Sequence, residues 1–184
     1  MDAKKSGSPK ALRGLQEPLL GPEEGTIQIP LTKDKVTIIN RRDFGLISSR
    51  LWFVHVTHSG QCYALSGSRQ KRVYMHRLIL NAPSGVLVDH RNSNGLDNRR
   101  NNLRFCNHAQ NTWNSKKFKI HTCQFKGITK GRGEKFIARI KVHGRSIYLG
   151  EFRDQRSAAL AYDSAAQRYA GEFARPNFPG DKEQ

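Results

Sequence analysis

Between His76 and Lys117 the chain runs through Asn, His and Arg so densely that it cannot build a core there. A stretch that buries little, yet keeps specific polar residues, is where a site is expected. Only 36% of the 184 residues are hydrophobic, which suits one medium domain or two small ones, each with a modest core. Residues 1–25 mix Lys, Gly, Pro and Ser without periodicity and read as a disordered tail. Residues 26–75 alternate apolar runs, such as Val36 to Ile39 and Leu51 to Val56, with turn residues. Short antiparallel strands fit there.

After Phe125 the pattern changes. From Lys135 to Val142, Phe136, Ala138, Ile140 and Val142 fall on one face, and Lys135, Ile137, Arg139 and Lys141 on the other. His143-Gly144 suits a tight turn, and Ser146 to Phe152 alternates again, so a hairpin with one apolar and one largely basic face is expected. Asp154 is a good N-cap for a helix whose stripe is Ala158, Ala161, Tyr162, Ala165, Ala166 and Tyr169, with Gly171 ending it. The fold class expected is α+β, with a small sheet backed by one helix near the C-terminus.

Charge narrows the partner. Lys and Arg total 32 against 15 acidic residues, a formal net charge of +17, which favours a polyanion such as nucleic acid. An acidic membrane surface would call for a basic amphipathic helix or an apolar anchor, and neither pattern is present. No apolar stretch approaches the roughly 20 residues needed to span a bilayer, and the N-terminal lysines are followed by no apolar run of the kind a secretory signal needs. Cys62, Cys106 and Cys123 form no C-x-x-C pair, which argues against a disulfide framework or a cysteine zinc site and points to reduced, intracellular thiols.

The chemistry concentrates in Val88-Asp89-His90-Arg91, Asn94-Gly95-Leu96-Asp97-Asn98, Asn102-Leu103-Arg104 and Asn107 to Lys117. This reads as strand, loop, strand and helix, with Asn107 as the helix cap and Asn111 in its first turn. Hydrolysis of a phosphodiester needs a hard cation and a base for water. Asp89 and Asn111 offer hard oxygens of the kind Mg²⁺ accepts. His90 can take a proton near neutrality, and Asn102 is available to orient its imidazole. His76, followed by Arg77-Leu78-Ile79-Leu80, reads as a packed structural histidine. Asn94, Asp97 and Asn98 read as loop-shaping residues.

These residues resemble the HNH endonucleases, particularly the phage and intron-encoded homing type with the ββα-metal fold. The resemblance runs from about Ile27 through Lys117 and includes Ile29-Pro30-Leu31-Thr32 and Tyr74-Met75-His76-Arg77-Leu78. It implies a β-rich extension over 26–75 leading into a ββα-metal core over 76–117. It also implies Asp89 and Asn111 as ligands of Mg²⁺ (or Mn²⁺), His90 as general base, and Asn102 holding His90 and the loop. The last motif position is Asn here rather than His.

A second resemblance follows a linker over 118–124. Phe125-Lys126-Gly127-Ile128, Phe136 to Ile140, Tyr148 to Phe152, the Ala158 to Ala166 stripe and Asn177-Phe178-Pro179 look like the Apetala/ethylene-response-factor DNA-binding domain. It implies a three-stranded antiparallel sheet on one helix over 125–179, before a tail over 180–184. The sheet would lie in the major groove and present Lys126, Thr129, Lys135, Arg139, Lys141 and Tyr148, with Arg132 and Arg145 in or beside turns. Arg139, Ser146 and Tyr148 stand where the plant pattern usually has an acidic residue, Arg and Trp. The reading is therefore a metal-dependent endonuclease, homing or nicking, acting on double-stranded DNA as monomer or dimer without a small-molecule cofactor. The rival is a non-catalytic, sequence-specific DNA-binding protein on a vestigial nuclease fold.

Overall fold

The computed structural model describes residues 25–115 and 123–180. The expected tails, apart from Gly25 and Gly180, residues 118–122 of the expected linker over 118–124, and residues 116–117 at the end of the expected core lie outside the described residues. The fold is α+β, with several small antiparallel sheets and four α-helices among the described residues. It divides into two compact units after Phe105.

The first unit opens with β1 (Thr26–Pro30) and β2 (Val36–Asn40), an antiparallel hairpin that pairs Ile29 with Thr37 and Ile27 with Ile39. Alternation puts Thr37 and Ile39 on the inner face, both fully buried. A short helix α1 (Phe44–Ser48) follows, then β3 (Phe53–Val56), β4 (Cys62–Ser66) and β5 (Val73–Tyr74) in a meander. The strands expected over 26–75 are thus present, with α1 added between them. Helix α2 (Met75–Ile79) buries Met75, His76 and Ile79. Its Arg77 donates to the carbonyls of Pro83 (2.7 Å) and Val86, closing the loop that leads into β6 (Leu87–His90). Strand β6 pairs with β7 (Leu103–Cys106). The core of this unit gathers Ile29, Ile39, Phe44, Ile47, Trp52, Val54, Met75 and Leu103.

The second unit begins with α3 (His108–Asn114), closed at its start by a capping box in which Asn107 and Gln110 bond each other's backbone amides. The strands β8 (Ile128–Lys130), β9 (Phe136–Val142) and β10 (Arg145–Phe152) form a three-stranded antiparallel sheet in the order β10-β9-β8. His143 and Gly144, at φ 48° and 79°, make the expected turn. Helix α4 (Gln155–Ala170) starts at Asp154, whose side chain accepts from the Ser157 amide, and buries Ala158, Ala159, Tyr162, Ala165 and Ala166 against Ala138, Ile140 and Val142. The small side chains let the helix lie close on the sheet. Asp163 then accepts from the Asn177 and Phe178 amides, and Asn177 bonds the Lys126 backbone in both directions. The Asn177-Phe178 motif is thereby explained as a clasp on the sheet.

Packing of α3 accounts for where the chain divides. The Trp113 ring joins the C-terminal core, and its Nε1 donates to the Lys141 carbonyl at 3.0 Å. Lys126 then reaches the far end of the helix. Its ammonium donates to the carbonyls of Thr112 (3.4 Å), Trp113 (2.5 Å) and Ser115 (3.1 Å). A cation at a helix C-terminus meets both orphan carbonyls and the negative end of the macrodipole.

Burial holds the Lys126 amine down to about 8, and burial likewise pushes the Tyr162 hydroxyl up to about 12. The two effects have opposite signs. From about pH 8 to 10, unfolded Lys126 retains a proton that the folded state has lost, so stability rises with pH. Above about 10, unfolded Tyr162 loses its proton while the folded state keeps it, and stability falls toward pH 12. The unfolding free energy of this unit is expected to peak near pH 10. Trp113 emission in a Trp52→Phe background reports it, and Lys126→Met should abolish the rising arm alone.

Candidate active site and basic sheet face

Strand β6 ends by delivering Asp89 and His90 side by side, 6% and 5% exposed. Neighbouring strand residues face opposite ways, so each meets its own surroundings. Asp89 meets Arg104 of β7, whose Nε and Nη2 both lie 2.9 Å from Oδ2. His90 meets the loop that follows it: Nε2 is 3.1 Å from Oδ1 of Asn98. The His76 ring stands edge-on to His90 with centroids 4.9 Å apart, and Tyr63 lies at 5.9 Å.

The loop from Asn92 to Asn98 is held by its own amides. Asn102 Oδ1 accepts from the Asn92 amide at 3.0 Å, and its Nδ2 donates to Asn92 Oδ1 (3.0 Å) and the Asp97 carbonyl (2.7 Å). Asp97 in turn accepts from Arg99 Nε and Nη2, each at 2.7 Å, and from Asn92 Nδ2 at 2.8 Å. The guanidinium beside it holds the Asp97 carboxyl below the usual range. Gly95 has no room for a side chain: an added Cβ would lie 2.3 Å from the Cys62 carbonyl oxygen. Strand β2 anchors the whole loop, through Ile38 N to Leu96 O (2.9 Å) and Asn98 N to Ile38 O (2.7 Å).

This corrects one expected role. Asn102 does not hold the imidazole: its Oδ1 accepts from the Asn92 amide, and both Nδ2 protons go to Asn92 and Asp97. Asn102 pins the loop, and Asn98, fully buried, takes the imidazole. His76 is packed as expected, but against His90, and its Nδ1 has no hydrogen-bond partner. Burial, with the neighbouring His90 and Arg77, pulls its pKa to about 3, so this ring is neutral. Burial also lowers the His90 pKa, against the opposing pull of the Asn98 bond and of Asp89 and Asp97.

A cation site must be judged from the donors. Among the described residues no group of three or more His, Cys, Asp or Glu is placed to hold a metal. Asp89 is a single carboxylate with an arginine on one oxygen. Such a donor does not cage a resident ion, but it fits a cation that keeps waters and takes its remaining ligands from phosphate, as Mg²⁺ does. Asn111 lies on α3 in the second unit and is exposed.

On the second unit, the sheet face away from α4 carries Thr129, Ile137, Arg139, Lys141, Ser146 and Tyr148, with Arg139 opposite Tyr148 and Lys141 opposite Ser146. Tyr148 is 57% exposed. Lys135 shares this face but is bonded to Glu151 at 3.1 Å. Arg132 is exposed between β8 and β9. Arg145 is exposed at the hairpin end, with the strand parity of Ile147 on the helix side. Lys126 is the second correction: its ammonium caps α3 and is not presented on this face.

No family model matches the chain. An uncharacterized HNH endonuclease of Acanthamoeba polyphaga mimivirus is 28% identical over 134 residues, covering 72% of this chain and 69% of that protein. An AP2/ERF and B3 domain-containing protein of Oryza sativa subsp. japonica is 40% identical over 57 residues. Dehydration-responsive element-binding protein 2D of Arabidopsis thaliana is 40% identical over 60 residues. The chain pairs an HNH-endonuclease-like part with an Apetala/ethylene-response-factor-like part. The plant matches cover 31% and 32% of this chain but only 16% and 29% of those proteins, so the second likeness is to a module.

Within the HNH-like part, the geometry brings to the centre Asn98 and His76, read from sequence as loop-shaping and packed, and Arg104, which was given no role. Asn98 and His76 touch the His90 ring, and Arg104 neutralises Asp89. Arg104 carried a signal. A buried arginine needs a carboxylate, and Asp89 lies on the strand paired with its own. Among the described residues no helix is long and apolar enough to cross a membrane.

Proposed function

We propose that this chain is a metal-dependent DNA endonuclease of the homing or nicking type, directed to double-stranded DNA by its C-terminal sheet. The observation that carries the reading is the buried Asp89–His90 pair, each held by a dedicated partner, Arg104 and Asn98. Burying so many polar groups costs free energy that a purely structural hairpin has no reason to spend. The β6–β7 hairpin then serves as the strand pair of a ββα-metal nuclease.

In this reading His90, held by Asn98, accepts a proton from the attacking water, and Asn102 keeps the loop in register. Asp89 would hold the divalent cation, Mg²⁺ or Mn²⁺, with Asn111 as the further ligand that the family pattern assigns. When bound, the cation supplies charge neutralisation at the phosphate and the leaving oxygen. Arg139, Lys141 and Tyr148 meet the major groove, where arginine reads guanine edges and lysine neutralises phosphate. Arg132 and Arg145 lie at the hairpin ends, suited to the flanking backbone. Joining nuclease to reader raises the effective concentration of the one at the site of the other.

Supercoiled plasmid tests the activity. Conversion to the nicked circle with Mg²⁺, abolished by EDTA, supports it. Tight binding without cutting across many sequences would favour a non-catalytic DNA-binding protein, a reading for which Arg104 already occupying Asp89 speaks. The reader is tested by salt. Lys141→Ala should reduce the slope of log K against log salt by about 1, whereas Lys126→Met should leave the slope unchanged and lower stability.

A further inference from the structure

The amide of Asn98 is fixed from behind by a residue of the N-terminal hairpin. Its Nδ2 donates to Thr37 Oγ1 at 2.7 Å, across 61 residues of sequence. The Thr37 hydroxyl has one proton, and the Leu96 carbonyl at 2.8 Å takes it in preference to the Met75 sulfur, a weaker acceptor at 3.9 Å. A carbonyl can only accept, so the hydroxyl must receive from Asn98, and only the Nδ2 end of the amide can give. The Oδ1 end is thereby left facing His90. An oxygen without a proton can only accept, so the nitrogen it meets, Nε2, must carry the hydrogen.

We propose that Thr37 and Asn98 are positioning residues that fix the neutral His90 proton on Nε2 and hold the ring in one orientation. The inference rests on the endonuclease reading for its purpose, but the tautomer is a property of the resting protein. Thr37 and Asn98 are both fully buried, so no solvent stands by to repair a mismatch. The backbone ladder between Ile38 and the loop prevents either from moving away. Turning the amide over would set its oxygen against a hydroxyl already committed to Leu96. A buried group left unpaired in this way disfavours that state by about 10- to 100-fold.

The test begins without DNA or metal. In ¹⁵N-histidine-labelled full-length protein, long-range ¹H–¹⁵N correlation should show His90 with a protonated Nε2 and an unprotonated Nδ1. Thr37→Val keeps the shape, removes the acceptor and should give mixed tautomers, whereas Thr37→Ser should behave as the parent. The double variant Thr37→Val/Asn98→Asp should restore the Nε2 proton, because a carboxylate only accepts. If Thr37→Val fails to fold, the parent's tautomer still decides, because an Nδ1 proton there overturns the relay. In nicking assays Thr37→Val should lower kcat about tenfold with KM for DNA unchanged, with recovery in Thr37→Ser. A parent protein protonated on Nδ1, or a folded Thr37→Val protein with an unchanged tautomer, overturns the relay. The two readings fail separately. The Nε2 tautomer without any nicking sinks the nuclease, and metal-dependent nicking with an Nδ1 proton sinks the relay.

Discussion

Replacing His90 with glutamine should lower metal-dependent nicking by roughly 10²- to 10⁴-fold, the usual contribution of a positioned general base. Glutamine is the sharper substitution because of what surrounds the ring. Asn98 Oδ1 is buried against Nε2, and alanine would leave that acceptor unpaired at a cost of about 1–3 kcal/mol. It would also open a gap between His76 and Tyr63. A glutamine amide can still donate to Asn98 but cannot accept a proton from water. Loss of nicking with unchanged unfolding and unchanged DNA affinity therefore isolates the chemical step. Nicking at the parent rate would remove His90 from the mechanism and return the function to binding alone.

Arg104→Ala should cost the first unit about 3–5 kcal/mol, the range for stripping one partner from a buried ion pair. Asp89 would stay buried and charged beside His90, with its guanidinium gone. The same change should make the fold responsive to metal. A carboxylate no longer shared with arginine binds a divalent cation more readily, so millimolar Mg²⁺ should raise the melting temperature of the variant more than that of the parent. Chemical denaturation followed by Trp52, with and without Mg²⁺, measures both. A loss below about 1 kcal/mol, the scale of a surface pair, would mean that the Arg104–Asp89 contact carries little weight.

Much of the fold was legible because its signals are local. Alternation from Phe136 to Val142, the His143-Gly144 turn and the Asp154 cap each lie within a few residues, and each appears where expected. The helix opening at Asn107 was legible for the same reason. The residues of the candidate site were legible as types, but not as pairs. Asn98 and Asn102 are both amides within the same polar stretch, and sequence cannot say which reaches the imidazole. That choice follows from the 3₁₀ turn over Arg100–Asn102, which aims Asn102 back at Asn92. Lys126 misled because a lysine beside a basic sheet resembles its neighbours. Its real partner is a helix end more than ten residues earlier, reached only after folding.

The anchoring of the Asn92–Asn98 loop to β2 has a consequence for descent. Position 37 lies well outside the segment that marks the motif, yet its hydroxyl decides which way the Asn98 amide faces. Homologues should therefore inherit positions 37 and 98 as a couple. A hydroxyl residue should accompany asparagine, and lineages that abandon one should be released from the other. A transplanted motif that begins at His76 would leave half of that inheritance behind.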